Sequence, residues 1–301
     1  MAVKEDLDYT YSTIDKIFRL SLGETGDFSG AMYDGNFTLS LEQAQAAKHQ
    51  FIARNLNINQ KSRVLDLGCG WGPFLNFATN NVGASAIGLT LSENQAIACR
   101  KNGFEVYIKD CKTVTPDDYG VFDAIVSIGA FEHFCSIEEY KAGLQETIYE
   151  DFFQSVHNLL PDKGRFYLQT MTFSKHMLDY NDIDVFAKRM SDQHILGLMV
   201  EQFPGSWLPY GLDMIKRCSK PYFDLKFQSS GRLDYIETIR QWRKKFRNWN
   251  WKKYLLYLSL LPNYFTDQQF RHRVEIFKVS PNKVCFEREI MDHYRLVLEK
   301  R

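Results

Sequence analysis

Two short stretches of the chain hold residue types that can do chemistry. In Asp66-Leu67-Gly68-Cys69-Gly70-Trp71-Gly72 a carboxylate precedes glycines at every second position. The apolar run Val64-Leu65 leads into it and a helix-like pattern follows, so the glycines fall at a strand-to-helix turn. Glycine tolerates positive φ there and lets the backbone approach a nucleotide-like ligand with no Cβ in the way. A dinucleotide fingerprint, G-x-G-x-x-G, would cradle a pyrophosphate at the helix N-terminus. A carboxylate just ahead of the first glycine repels a diphosphate and suits a cationic, ammonium-bearing ligand such as S-adenosylmethionine (SAM). The plain alternative is a glycine-rich turn that binds nothing.

The second stretch is Ser127-Ile128-Gly129-Ala130-Phe131-Glu132-His133-Phe134. A Glu-His pair at the carboxyl end of a strand is where a base or a cation-stabilising group is expected. The plain alternative makes Glu132 a helix cap or an arginine partner and His133 a satisfied, partly buried histidine. Around the ligand, Asp66, Gly68 and Gly70 would line its methionine end. Thr90 and Gln95, with Leu91 between them, stand where the second strand ends. An acid usually bonds the ribose hydroxyls at that point, and Thr90 and Gln95 could do so as neutral groups. Asp110-Cys111, after the third strand, would meet the adenine edge. Ser29 and Ile128 complete the candidate cofactor contacts.

Elements to carry these residues are legible. An apolar helical pattern runs from Tyr9 to Leu22, with Ile14, Ile17 and Phe18. A glycine- and aromatic-rich loop, Gly23 to Gly35, follows. Ser40 and Gln43 form a capping box for a helix reaching about Leu56. Strands are expected at Arg63–Leu67, Ser85–Leu89, Phe104–Ile108, Val121–Ile128 and Arg165–Met171. Helices are expected from Pro73 to about Asn80, over Ser92–Lys101, and as one long helix over Ile137–Leu160. Alternating strands and helices imply a parallel sheet, with its ligand beyond the carboxyl ends of the strands. After Met171 the rhythm breaks. Residues 172–220 read as an insertion, Asp234–Tyr264 as helical, and Phe223–Phe227 with Lys283–Arg288 as an antiparallel pair finishing the sheet. The expected whole is a single α/β domain with a Rossmann-like sheet: N-terminal helices over the cofactor (1–58), a SAM-binding core (59–171), a helical insertion and strand covering a substrate cavity (172–275), and a C-terminal strand and tail (276–301).

Composition narrows the partners. The chain has 301 residues, a formal net charge of zero, 23 Phe and 16 Tyr. A neutral chain has no global field steering it to polyanions, and the aromatic surplus hints at an apolar substrate cavity. The six cysteines show no metal-ligand spacing. With no signal-peptide pattern at the start, they read as reduced thiols of a cytoplasmic protein. No apolar run approaches the ~20 residues of a membrane span. Between Arg240 and Lys253 seven cations interleave with Trp242, Phe246, Trp249 and Trp251. The loop after the fourth strand lacks the Asn/Asp-Pro-Pro-Tyr/Phe type of motif of nucleic-acid amino-methylating enzymes. The basic stretch therefore reads as contact with an anionic lipid surface, or as a solvated face over a packed core. A homodimer stays open.

Taken together, Asp66–Gly72, Leu89–Gln95 and Ser127–Phe134 resemble the cyclopropane-fatty-acid synthase family, which includes the mycolic acid cyclopropane synthases. So do Leu39–Gln45, Phe203–Pro209 and Asp234–Trp242. The matches keep the family's order from about Tyr33 to the C-terminus. The glycine motif is common to many SAM methyltransferases, whereas Gly-Ala-Phe-Glu-His-Phe with Leu-Thr-Leu-Ser-x-x-Gln is far more specific. The resemblance implies a SAM-dependent reaction on an alkene: the π-bond attacks the sulfonium methyl, and in the family a bicarbonate ion removes a proton from the resulting cation so that a ring closes. It assigns Glu132 to the cation, Tyr235 to the bicarbonate site, and Ile128 to a backbone contact there. Two family ligands are missing. The loop cysteine falls on Gly30 and the histidine ending the next strand falls on Gln169, which can donate to an anion but cannot carry a proton or charge. Bicarbonate binding and ring formation thus lose support, and Glu132 could act as the base itself. Methylation of a small hydrophobic metabolite, as in the related plant alkaloid N-methyltransferases, and a SAM- or lipid-binding protein without catalysis are the rival readings.

Overall fold

The computed structural model of the chain describes residues 19–23 and 26–301. The expected helix over Tyr9–Leu22 lies outside the described residues except for its last turn, 19–22, which is helical. The elements that follow are α1 (Leu41–Asn55), β1 (Arg63–Leu67), α2 (Pro73–Asn76), β2 (Ser85–Thr90), α3 (Glu93–Lys101), β3 (Glu105–Ile108), α4 (Pro116–Tyr119) and β4 (Ala124–Ile128). Then come α5 (Ile137–Lys141), α6 (Gln145–Asn158), β5 (Arg165–Phe173), α7 (Asp192–Gln202), α8 (Gly211–Ser219) and β6 (Phe223–Ser230). The C-terminal part is α9 (Arg232–Arg247), α10 (Trp251–Thr266), α11 (Gln268–Val279), α12 (Pro281–Glu287) and β7 (Met291–Lys300).

The strands form one seven-stranded sheet in the order β3-β2-β1-β4-β5-β7-β6. The first five are mutually parallel, and β7 runs antiparallel between β5 and β6. Strand order reverses between β1 and β4, so the crevice beyond their carboxyl ends is the topological switch point where ligands of such sheets bind. One face of the sheet is covered by an aromatic cluster that includes Phe131, Tyr149, Phe152, Phe153 and Phe166. The other packs on Ile52, Phe74, Val64 and Tyr167. A third cluster, with Ala31, Met171, Trp207, Tyr235, Trp242 and Met291, roofs the crevice.

Local sequence explains most boundaries. Ser40 Oγ accepts from Gln43 N–H while Gln43 Oε1 accepts from Ser40 N–H, the capping box that starts α1. Ser92 accepts from Gln95 N–H at the start of α3. Three expectations are corrected. The helix over Ile137–Leu160 is two helices, because Gly143 takes φ +73° between α5 and α6. The helix over Asp234–Tyr264 is likewise divided at Asn248–Asn250, where Asn250 caps α10. The strand expected at Lys283–Arg288 is helix α12. Pro281 sits in its first turn, Lys283 pairs with Glu287 one turn on, and the neighbours Cys285 and Phe286 are both fully buried, which alternation in a strand would forbid. The sheet is closed instead by β7.

Candidate active site

The turn after β1 is shaped by glycines, of which Gly68 has no room for a side chain. Gly68 has φ +84°, and a Cβ there would fall 2.3 Å from Ala130 Cβ, in the loop after β4. The two loops of the switch point therefore touch through a bare backbone. Gly70 and Gly72 have φ of +54° and +78°. Asp66 lies at the floor, 2% exposed, and its Oδ1 has no hydrogen-bond partner. Burial, helped by the Asp27 carboxylate and opposed by Lys48, pushes its carboxyl up to about 7. An unpaired buried carboxylate beside a bare glycine turn fits a ligand that brings its own ammonium group.

Thr90 and Gln95 meet directly, with Thr90 Oγ1 donating to Gln95 Oε1 at 2.8 Å. Leu91 is exposed at the mouth. Asp110 Oδ1 accepts from Lys112 N–H, and burial raises the Cys111 thiol to about 12, so it is a neutral wall. Above the turn, Arg19 stacks over the Trp71 ring at 4.5 Å, which brings the helical turn 19–22 against the glycine loop. Ser29 is locked in place: its hydroxyl donates to Asp27 and accepts from Lys48 Nζ. Lys48 is fully buried and pairs with Asp27 at 2.7 Å, with His49 beside it. Burial works against the Asp27 charge, but Lys48 and His49 outweigh it and hold the carboxyl below its ordinary range. The anchors of this loop, Asp27, Lys48 and His49, were missed by sequence reasoning. A lysine and a histidine on the inner face of α1 were the available signal.

Glu132 is 7% exposed and sits on a 3₁₀ turn, Ala130–His133. Its Oε1 accepts from Met171 N–H at 2.8 Å, and it forms no ion pair among the described residues. Burial pushes it up to about 8, against the pull of that N–H. His133 Nδ1 lies 2.9 Å from Ser206 Oγ, and burial lowers the imidazole to about 4, so it is neutral. Both line a cavity of about 40 Å³ whose other walls include Met171, Phe173, Leu196 and Trp207. Two carriers of chemistry thus face an otherwise apolar chamber.

Gln169 is fully engaged, receiving Tyr167 O–H at 2.9 Å and donating to the Gly30 carbonyl at 3.0 Å. Ile128 pairs with Gln169 in the β4–β5 ladder, and Gly129 N–H donates to the Gln169 carbonyl. Tyr235, on α9, is 8% exposed and packs on Phe286 and His293. Ala31 is clamped on both sides: its N–H donates to Thr238 Oγ1 and its carbonyl accepts from Arg295. Arg295 in turn pairs with Asp234 at 2.9 Å. The structure therefore brings Gly30, Gln169, Tyr235, His293 and Arg295 together. His293 and Arg295 were missed because the last strand was expected eight residues too early; on Met291–Lys300 they stand two apart, on one face.

A model of the mycolic acid cyclopropane synthetase family matches residues 2–262. The chain belongs to that family. Hydroxymycolate synthase MmaA4 of Mycobacterium tuberculosis (strain ATCC 25618 / H37Rv) is 30% identical over 284 residues, covering 88% of this chain and 89% of the relative. Cyclopropane mycolic acid synthase 3 of the same organism is 32% identical over 243 residues, covering 77% and 78%. The solved structure of mycolic acid cyclopropane synthase CmaA1 with SAH and CTAB matches with a TM-score of 0.77 and 26% identity over 99% of this chain and 98% of that one. Coclaurine N-methyltransferase, 15% identical, shares the fold with a TM-score of 0.72, covering 97% of this chain and 82% of that one. As a member of the family, the chain is a SAM-dependent methyltransferase with the Rossmann-like fold. Its cofactor is SAM.

Proposed function

We propose that the enzyme transfers the SAM methyl group to a carbon–carbon double bond of an acyl chain held in the cavity beside Glu132. The observation that carries this reading is Glu132 itself: a buried carboxylate with no ion-pair partner among the described residues, on the wall of an apolar chamber next to the glycine turn. SAM supplies an electrophilic methyl group. Asp66 and the Gly68–Gly72 turn would hold its methionine end, Thr90 and Gln95 its ribose, and Asp110-Cys111 its adenine, with Ser29 closing from above.

An alkene is a poor nucleophile, and methylating it leaves a carbocation. A carboxylate in a dry site is the group that lowers such a transition state. Raised to about 8 by burial, Glu132 ionises more readily once a positive charge arrives beside it. His133, neutral and tied to Ser206, orients the turn without adding a competing charge. The relatives are named both as cyclopropane synthases and as a hydroxymycolate synthase, and in such chemistry the group that meets the cation decides the product.

The acyl reading goes with contact to an anionic lipid surface through α10, whose apolar residues are exposed beside a run of cations. The test supplies SAM with a fully deuterated methyl, a membrane lipid extract and a panel of small metabolites, and follows the label by mass spectrometry. Label in acyl chains is the expected result. Label confined to small amines or other metabolites would overturn the reading in favour of simple methylation.

A further inference from the structure

Behind the cofactor turn two thiols meet. Cys69 stands between Gly68 and Gly70 in the turn itself, and Cys99 projects from α3. They share a small buried cluster with Leu75, Ala96, Phe104 and Val106, and both are free cysteines. The Cys69 S–H donates to the Cys99 sulfur, and the Cys99 S–H donates in turn to the Gly70 carbonyl at 3.5 Å. Cys69 Sγ is itself 3.8 Å from that oxygen. Both sulfurs therefore crowd one carbonyl of the turn that would hold the methionine end of SAM.

Bare backbone makes room for this contact. A Cβ on Gly72 would fall 3.0 Å from Cys99 Sγ, and a Cβ on Gly88, in β2, would fall 2.7 Å from Cys69 Sγ. The hydrogen bond from Cys69 holds the Cys99 thiol below its ordinary value, with burial and the Asp66 carboxylate opposing and Arg19 assisting; the same bond lifts Cys69. Cys99 is thus the thiol of the pair that ionises first, and the thiolate is the form that oxidants meet. Burial pushes Cys111, Cys135, Cys218 and Cys285 up to about 12, which leaves them inert beside it. Cys69 and Cys99 are sealed at 4% and 0% exposed. An oxidant reaches them when the turn opens, and ligand-binding loops are the parts of a fold that open locally.

We propose that Cys69 and Cys99 are an oxidation site: hydrogen peroxide joins them in a reversible disulfide that displaces the glycine turn and weakens SAM binding. In the first step the Cys99 sulfur attacks one peroxide oxygen. The O–O bond breaks, a sulfenic acid forms, and the departing hydroxide takes the Cys99 proton and leaves as water. In the second step the Cys69 sulfur displaces the sulfenic hydroxyl, which takes the Cys69 proton and leaves as a second water, and the S–S bond forms. Two thiols and one peroxide become a disulfide and two waters, with two electrons passing from the sulfurs to the peroxide. The new bond draws the sulfurs to about 2.05 Å, well inside a hydrogen-bonded contact. It also removes both S–H groups, so the Gly70 carbonyl loses its donor. Cys69 is flanked by Gly68 and Gly70, at φ of +84° and +54°, and its movement toward α3 is taken up by that turn. The switch depends on SAM as the cofactor and is independent of the acyl reading above.

The experiment takes the full chain, reduced and then freed of reductant, and treats it with hydrogen peroxide in the presence and absence of SAM. Peptide mass spectrometry without reduction should find the Cys69 peptide joined to the Cys99 peptide, two hydrogens lighter than the separate thiols. SAM affinity by calorimetry should fall by about tenfold or more, the equivalent of one or two lost hydrogen bonds, and return on adding dithiothreitol. SAM bound beforehand should slow the cross-link, because it favours the closed turn. Cys99→Ser keeps a donor for the Gly70 carbonyl, and Cys99→Ala keeps the cluster apolar should a buried hydroxyl not be tolerated. Peroxide should leave the SAM affinity of either variant unchanged. Cross-links confined to other cysteines, a Cys69–Cys99 disulfide with undiminished SAM affinity, or an equal loss of affinity in the Cys99 variants would each overturn the switch. Cross-linking as fast with SAM as without it would overturn it too.

Discussion

Glu132 makes two predictions at the scale of single residues. Its folded pKa of about 8 stands above the ordinary 4.5, so the folded state holds a proton that the unfolded chain has already released. Stability falls with rising pH wherever the native state binds more protons. The contribution is whole below 4.5 and is lost by about 8, and Asp66, raised to about 7, acts in the same direction. His133, lowered to about 4 from 6.5, works oppositely but only below 6.5. Between pH 6.5 and 8 the carboxyl groups therefore dominate, and the ligand-free protein should lose thermal stability by up to about 1.4 kcal/mol per pH unit for each such group. Calorimetry across that window checks it, and Glu132→Gln should flatten the slope. Kinetically, Glu132→Gln should cut turnover by about 10² to 10³-fold, as loss of an electrostatic stabiliser does, with SAM affinity almost unchanged. Equal turnover would remove Glu132 from the reaction. Glu132 was legible because its signal is local, a carboxylate two residues into a turn after an apolar strand. The burial of His293 was not, because it depends on two glycines, Gly30 and Gly231, distant in sequence and adjacent only in the fold.

At the scale of elements, α10 is the anomaly. Its exposed residues include Trp251, Tyr254, Leu255, Leu258, Leu261 and Phe265, which recur every three or four positions along one stripe, and Trp249 beside it is 78% exposed. An apolar helical stripe ordinarily faces a core. From Thr238 to Thr266 the chain has seven cations and no acid, although its overall charge is zero. Apolar residues flanked by cations suit an anionic membrane surface, where each basic residue near the headgroups contributes about 1 kcal/mol. Replacing Lys244, Arg247 and Lys252 with glutamine should weaken sedimentation with phosphatidylglycerol vesicles by roughly 10²-fold at low salt and leave the unfolding temperature nearly unchanged. Leu255→Gln with Leu258→Gln should do the same at any salt concentration. Binding indifferent to both sets would assign the stripe elsewhere. The basic aromatic run was visible in the sequence, but its exposure was not, since periodicity gives a stripe and never says what covers it. The same limit explains α12. Lys283–Arg288 has strand-forming valine, cysteine and phenylalanine, and only the proline ahead and the burial of adjacent residues make it a helix.

Across the whole molecule, the crevice is held shut by groups from both ends of the chain. Arg295, 2% exposed, pairs with Asp234 on α9 and donates to the carbonyl of Ala31. Ala31 N–H donates to Thr238 on α9 as well. Gln169 on β5 holds the next carbonyl back, that of Gly30. One loop is thus fixed by β5, β7 and α9 together, and a buried ion pair ties β7 to α9 beneath it. Breaking such a pair by removing one partner strands the other charge in a dry interior and costs about 3–5 kcal/mol, whereas removing both costs much less. Arg295→Met should therefore lower stability in urea by about that amount. Asp234→Asn placed in the same chain should recover a large part of it, a coupling that a double-mutant cycle measures. Because Ala31 loses its carbonyl partner in Arg295→Met, the segment around residues 26–31 should also become the first site of limited proteolysis, and SAM, by drawing Ser29 and Asp66 to one ligand, should suppress that cleavage. Additive costs, with no recovery in the double variant, would mean that the pair is not the tie between β7 and α9. Cleavage unaffected by SAM would separate the loop from the cofactor.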